Sequence, residues 1–462
     1  MMTIRKFKIA GLFLAALITM NCATENKQEP LEETLIKRGF PHLEWSKSAN
    51  IYEVNLRQYT PEGTFSAFES HLPRLKGMGV DILWLMPINP IGEINRKGSL
   101  GSPYSVKNYL EVNPEFGSME DFRHLVGEIH KNGMYVIIDW VANHTAWDNP
   151  WTKEHPEWYS KDSNGNFMPP MGTDWTDVIQ LDLEHPGQRQ GMIDAMKFWL
   201  TETDIDGFRC DVAWNIPVEF WNQVRNELEA VKPVFMLAEA EDPEHHVAAY
   251  DMSYGWTFHH LMNEIAKGNR PITAIDAYML VESRSFPGDS YRMHFTSNHD
   301  ENSWNGTEYE RLGDGALTFA VLSATIPGMP LIYTGQEEPV KRRLEFFEKD
   351  TIEWKNLELE GFYKQLLDLK HKNPALWNGQ YGGDFIRIEN TAPDSVYSFY
   401  RELDNNRVLV LLNLSDSIQE FRLNRSKKME AVYRNWFTGN PTDFKEDTAF
   451  KMAPWDYAVL VQ

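Results

Sequence analysis

Cysteine is almost absent from this chain of 462 residues. It has only Cys22 and Cys210, so no disulfide framework can organise it. Positive charge is also short: Lys and Arg total 45 against 67 Asp and Glu, a formal net charge of -22. Such a field repels phosphates and gives no general attraction to anionic lipid, which excludes nucleic acid as a partner. Neither Gly-x-Gly-x-x-Gly nor Gly-x-x-x-x-Gly-Lys-Ser/Thr occurs. No dinucleotide or nucleoside-triphosphate site is therefore expected, and no organic cofactor. The apolar run from Ile9 to Met20 is too short to span a bilayer as a mature helix. What the chain has in quantity is apolar and aromatic side chains, 42% hydrophobic with 16 Trp, ample for a large core and for flat aromatic surfaces besides.

The first residues read as a targeting segment. Arg5, Lys6 and Lys8 precede the apolar run, which ends Ile18-Thr-Met-Asn-Cys22. A cysteine directly after such a run resembles a bacterial lipoprotein signal, cut before Cys22 and lipidated there, although Asn21 stands where a smaller residue is usual. Residues 1–22 are thus expected to be a signal peptide and 23–45 a polar tether. The protein is expected to be exported, periplasmic or on the cell surface, and held to an envelope membrane by lipid on Cys22.

From Ile51 short apolar strands alternate with amphipathic helical stretches. Strands are expected over Ile51–Leu56, Val80–Met86, Met134–Trp140, Gly207–Ala213, Val234–Ala238, Arg292–Thr296 and Leu331–Tyr333. Helices are expected over Phe65–Met78, Met119–Asn132, Gln188–Thr203 and Phe220–Val231. Repetition of this unit through residues 46–375 favours a (β/α)8 TIM barrel over a doubly wound sheet, with an inserted excursion at 145–180. After about Leu376 helices give way to alternating strands, so 376–462 reads as a small antiparallel β-sandwich domain.

In such a barrel the chemistry sits where the strands end. The stretch Asp206-Gly-Phe-Arg-Cys-Asp-Val-Ala213 places Arg209 and Asp211 two apart, on one side of a strand. A guanidinium beside a carboxylate favours the ionised acid, and an ionised, positioned carboxylate can act as a nucleophile. Cys210 between them points the other way and serves as apolar filler. Alone, the pair reads equally well as structural. The other strand ends add Asp139-Trp-Val-Ala-Asn-His144, then Leu237-Ala-Glu239, then Phe295-Thr-Ser-Asn-His-Asp300. Asp211 and Glu239 are 28 residues apart, one strand–helix unit, and Glu239 and Asp300 are 61 apart, two units.

These four segments resemble the four signature regions of the α-amylase family, glycoside hydrolase family 13. The resemblance runs from about Ile51 to the C-terminus, with the excursion as the family's B domain and the tail as its C domain. It implies Asp211 as nucleophile, Glu239 as general acid/base and Asp300 as transition-state stabiliser. Arg209, His144, His299 and the stacking Tyr104 would surround the sugar at the cleavage point. Glu241, two residues beyond Glu239, is the rival for the acid. The resemblance also puts calcium at Asn143 and Asp182, with a backbone oxygen of Asn215. The family's Lys-His after the nucleophile strand is Trp214-Asn215 here, and its calcium loop after the first strand is missing. The implied activity is retaining hydrolysis of α-1,4-linked glucans, starch or maltodextrin. The segment Gln180-Leu-Asp-Leu-Glu184 and Val212 lean towards neopullulanase, cyclomaltodextrinase or oligo-1,6-glucosidase action. A transglycosylase and a non-catalytic sugar-binding lipoprotein are the further alternatives.

Overall fold

The computed structural model describes residues 40–424, 431–444 and 448–462. The expected signal, its Cys22 and most of the tether lie outside the described residues.

Eight strands close into a parallel barrel: Ile51–Val54, Ile82–Leu85, Tyr135–Val141, Gly207–Asp211, Phe235–Ala238, Met252–Tyr254, Tyr291–His294 and Met329–Tyr333. The sixth, Met252–Tyr254, has no counterpart among the expected strands; three residues are too few to show a period. The expected single helix over Phe65–Met78 is two, Phe65–Glu69 and Leu72–Met78. Pro73 lies in the first turn of the second, where its missing N–H costs nothing, but it could not continue the first. The helix Met119–Lys131 begins as expected, with a reciprocal cap between Ser118 and Asp121, and it buries Phe122, Leu125, Val126 and Ile129.

Strand parity sorts side chains between the barrel interior and the helical layer. Ile51, Ile82, Trp84, Ile137, Phe235, Leu237, Met252, Tyr254, Met293 and Leu331 form the interior cluster. Val136, Ile138, Phe208, Cys210, Met236 and Ala238 pack outward against the helices. A residue two positions beyond an inward one is inward too. Ile51 therefore leads to Glu53, Ile137 to Asp139, and Leu237 to Glu239. One strand pairing requires glycine: a Cβ on Gly207 (φ +156°) would meet the Phe235 carbonyl oxygen at 1.8 Å. At the opposite end of the barrel, Trp45 stacks on Tyr135 at 3.9 Å and His42 on Tyr291 at 4.0 Å, which covers the N-terminal ends of the strands.

The excursion after the third strand carries a two-stranded sheet, His144–Ala146 with Val178–Gln180. The C-terminal region forms an antiparallel six-stranded sheet ordered Asp384–Arg387, Val396–Leu403, Asn406–Asn413, Tyr457–Val461, Ala431–Asn435 and Pro441–Phe444. A two-stranded sheet, Gln419–Arg422 with Ala449–Met452, closes over a core that includes Leu409, Leu411, Phe421, Tyr433 and Leu460. Among the described residues no helix is long and apolar enough to cross a membrane.

Candidate active site

The C-terminal ends of the strands open into a cleft of about 660 Å³. Asp211, Glu239, Asp300, Tyr104, His144 and His299 all line it. Arg209 lies beneath them, fully buried. Strand register brings the set together. Asp139 pairs with Arg209, Val141 with Asp211, and Cys210 with Ala238, so consecutive strands deliver their polar ends at one level.

Arg209 is the hub. Its Nη1 donates to Asp139 Oδ1 and to Asp211 Oδ1, each at 2.9 Å, and its Nε donates to the Tyr254 hydroxyl at 3.1 Å. Its Nη2 lies 3.1 Å from Glu239 Oε2 as an ion pair. The expectation that Arg209 simply keeps Asp211 ionised therefore needs correction, because one guanidinium serves three carboxylates. Burial, then Glu239, push Asp211 well above the usual carboxylate range against Arg209. Burial also raises Glu239, opposed by Arg209 and assisted by Asp300. Two neighbouring carboxyl groups that both resist ionisation beside one cation titrate as a pair.

The strand of the fourth unit ends at Asp211, short of the expected Ala213, because Val212 turns left-handed (φ +47°). A β-branched residue there is strained, at roughly 1–3 kcal/mol. The turn aims the Val212 N–H at Glu239 Oε2, 2.7 Å away. Glu241 is held elsewhere. It accepts from the Thr257 backbone N–H and hydroxyl at the start of the helix Trp256–Ala266, and it pairs with Arg292 at 2.9 Å. It does not line the cleft.

His144 is buried, and burial lowers it to about 4, so it stands neutral at neutral pH. Tyr104 donates to Asp139 Oδ2 at 2.9 Å and stacks on His299 with ring centres 5.2 Å apart. The sequence reading left several neighbours without a role. Asp139 and Glu53 are fully buried acids on strands, and an acid on inward parity was the available signal. Trp304, Phe346 and Phe347 form an aromatic wall that only the fold assembles. Of the tryptophans in the excursion, Trp175 lines the cleft beside His144, whereas Trp158 is buried against Trp151. Trp214 is 60% exposed on the cleft wall.

The residues proposed for calcium do not fit the ion. Gln180 Nε2 donates to the Asn143 carbonyl oxygen at 2.9 Å and to its Oδ1 at 3.2 Å, and Asn215 Nδ2 donates to the same Oδ1 at 2.9 Å. N–H groups thus face the oxygens a cation would need. Asp182 Oδ1 instead accepts the Glu184 backbone N–H at 3.1 Å. Among the described residues no group of three or more His, Cys, Asp or Glu side chains is arranged to hold a metal.

Comparison with known proteins agrees with this fold. The family model for the α-amylase catalytic domain matches residues 45–389. Alpha-amylase MalA of Haloarcula japonica is 26% identical over 82% of this chain and 57% of its own length. Alpha-amylase 3 of Dictyoglomus thermophilum is 26% identical over 84% of this chain and 89% of its own. This chain thus spans little more than half of the first relative and most of the second. A noncanonic maltogenic α-amylase, AmyB from Thermotoga neapolitana, superposes with a TM-score of 0.82 at 30% identity, covering 90% of this chain and 99% of that one. An α-amylase from Lactobacillus plantarum gives 0.80 at 29% identity, over 90% and 99%. A closed parallel barrel with its acids at the strand ends and a catalytic-domain match over most of its length make this chain a member of the α-amylase family of glycoside hydrolases.

Proposed function

We propose that the protein is a retaining α-glucan hydrolase that cleaves α-1,4 bonds of malto-oligosaccharides or starch. The observation that carries this reading is the contact of one buried guanidinium with both Asp211 and Glu239 at the floor of a cleft. Retaining cleavage needs two carboxyl groups about 5–5.5 Å apart with one proton between them. Two acids gripped by the same guanidinium are necessarily close neighbours.

In the first step the Glu239 carboxyl gives its proton to the glycosidic oxygen. A carboxylate oxygen of Asp211 bonds to the anomeric carbon as the bond to the leaving sugar breaks. In the second, Glu239 takes a proton from water, whose oxygen displaces Asp211 and frees the product. Asp300 accepts hydrogen bonds from hydroxyls of the distorted sugar, a contact that strengthens in the transition state. Neutral His144 and the ring of Tyr104 hold the same sugar. A neutral substrate is compatible with a chain of net charge -22.

A second reading is transglycosylation, or action on α-1,6 bonds. The exposed indole of Trp214 on the cleft wall favours it, since a flat apolar face can hold an acceptor sugar while a short-lived glycosyl-enzyme waits. The two readings separate by product analysis on maltoheptaose, pullulan and isomaltose, with Glu239→Gln as control. Short maltodextrins from maltoheptaose alone support the first. Panose, glucose from isomaltose, or products longer than the substrate support the second. Attachment through lipid on Cys22 is tested by fractionating cells that express the full chain or Cys22→Ala; equal membrane recovery of the two overturns it.

A further inference from the structure

Glu53, on the first barrel strand, does not itself line the cleft and is fully buried behind it, inside the barrel mouth. Its Oε1 lies 2.5 Å from Nδ1 of His299. Its backbone carbonyl is pinned by the Thr334 N–H at 3.0 Å and the Thr334 hydroxyl at 2.6 Å, so the side chain is launched from a fixed point. The other ring nitrogen of His299, Nε2, lies 2.7 Å from the Tyr104 hydroxyl and 3.4 Å from Asp300 Oδ2. Tyr104 stacks on the ring, and Trp84 meets it edge-on at 5.9 Å.

The hydrogen-bond inventory favours one placement of the protons. Tyr104 has one hydroxyl proton, and it points to Asp139 Oδ2 at 2.9 Å. Toward His299 the phenol oxygen is therefore an acceptor, which requires a proton on Nε2. On the other side Nδ1 faces a carboxylate, which also accepts, so Nδ1 carries a proton too. A ring that donates from both nitrogens is an imidazolium. The ion pairs agree: Arg209 pairs with Asp139, Asp211 and Glu239, whereas Glu53 and Asp300 both pair with His299.

We propose that Glu53 is a positioning residue for glycosidic cleavage: through Nδ1 it fixes His299 as a second cation in the barrel mouth, beside Asp300. The inference rests on reading Asp300 as the acid that grips the distorted sugar. The imidazolium sits 3.4 Å from that acid, and its orientation is set from a strand that does not line the cleft. The groups facing the ring are Glu53 from the first strand, Tyr104 from the loop after the second, Asp139 behind Tyr104, Arg209 from the fourth strand, and Asp300. Burial opposes the charge on His299, but Asp300 and Glu53 outweigh it and push the ring up to about 9. Burial raises Glu53 overall, only partly offset by His299 and Arg209.

The test is carried out on the full chain with Glu53→Gln, which keeps the shape and an acceptor for Nδ1 but removes the charge, and with Glu53→Asp as the conservative partner. Histidines labelled at Cε1 are followed by NMR across pH, with His299 assigned by its loss in His299→Asn. His299 is expected to stay charged past pH 8 in the natural chain and to titrate at least ~1 unit lower in Glu53→Gln, as removal of a carboxylate in contact requires. On maltoheptaose, kcat is expected to fall roughly 10- to 100-fold with KM little changed and the alkaline limb moved to lower pH, and Glu53→Asp should recover part of it. The same His299 titration in both chains, a neutral His299 at pH 7 in the natural one, or a loss of kcat that only tracks lost folded protein with the limb unmoved would overturn the proposal. Because the titration is read without substrate, it separates failure of this pairing from failure of the α-1,4 reading, which would show as an inert natural chain.

Discussion

The backbone N–H of Val212 donates to Oε2 of Glu239 at 2.7 Å. It ties the turn after the nucleophile candidate to the acid candidate on the next strand, and it does so from a left-handed backbone that a valine adopts only under strain. The bond favours the charged form of Glu239, whereas burial favours the neutral one. The acid is thereby poised rather than locked, as a group that must give a proton and take one back requires.

Asp211→Asn and Glu239→Gln test the two roles. Either should leave the fold intact and lower turnover of maltoheptaose by about 10²–10⁴-fold or more, the scale of lost acid–base or nucleophilic catalysis. An activated substrate that needs no leaving-group proton should rescue Glu239→Gln and not Asp211→Asn. Steady-state rates on maltoheptaose and on an aryl maltoside measure this.

The raised carboxyls predict a stability trade. A carboxyl whose folded pKa is above its unfolded value contributes stability below the unfolded pKa, and that contribution is lost as pH rises through the folded pKa. Burial raises both Asp211 and Glu239, so their ionisation opposes folding at neutral pH. Glu239→Gln should therefore raise Tm at pH 7 and leave it nearly unchanged at pH 4. Thermal melts at the two pH values check the sign.

Glu241 gives the opposite pattern. It holds the start of the helix Trp256–Ala266 through Thr257 and pairs with Arg292. Glu241→Ala should destabilise by about 1–2 kcal/mol, the usual cost of a lost helix cap, with kcat changed less than about twofold. Urea titration and steady-state kinetics on one preparation measure both.

The amide donors around Asn143 predict indifference to calcium. Gln180 and Asn215 already satisfy its oxygens. Tm should agree within about a degree between excess chelator and millimolar calcium, whereas binding at 100 times Kd would stabilise by about 2.7 kcal/mol. Scanning calorimetry in both buffers decides.

Gly207→Ala should not yield folded protein. A Cβ would sit 1.8 Å from the Phe235 carbonyl oxygen between two barrel strands, and neither backbone can retreat without opening the barrel. Soluble yield and the near-ultraviolet dichroism of any soluble fraction test this.

The sequence by itself determined the barrel, seven of its eight strands and the acids at their ends. Strand parity and the spacing of strand–helix units are local periodicities, and they carry through to the structure unchanged. Leu237 fixes the side on which Glu239 emerges, and Arg209 fixes that of Asp211, whatever surrounds them. The three-residue sixth strand was illegible because it is shorter than a period, and the break at Pro73 was masked by apolar spacing that continues across it. What only the tertiary structure decided is who shares with whom. Arg209 divides its charge among three acids, Glu241 is drawn off to Arg292, Gln180 turns its amide onto Asn143, and Glu53 reaches across 246 residues to His299. The physical reason is that hydrogen bonds and ion pairs act over a few ångström in space, and closing a barrel makes neighbours of strand ends that the chain keeps far apart.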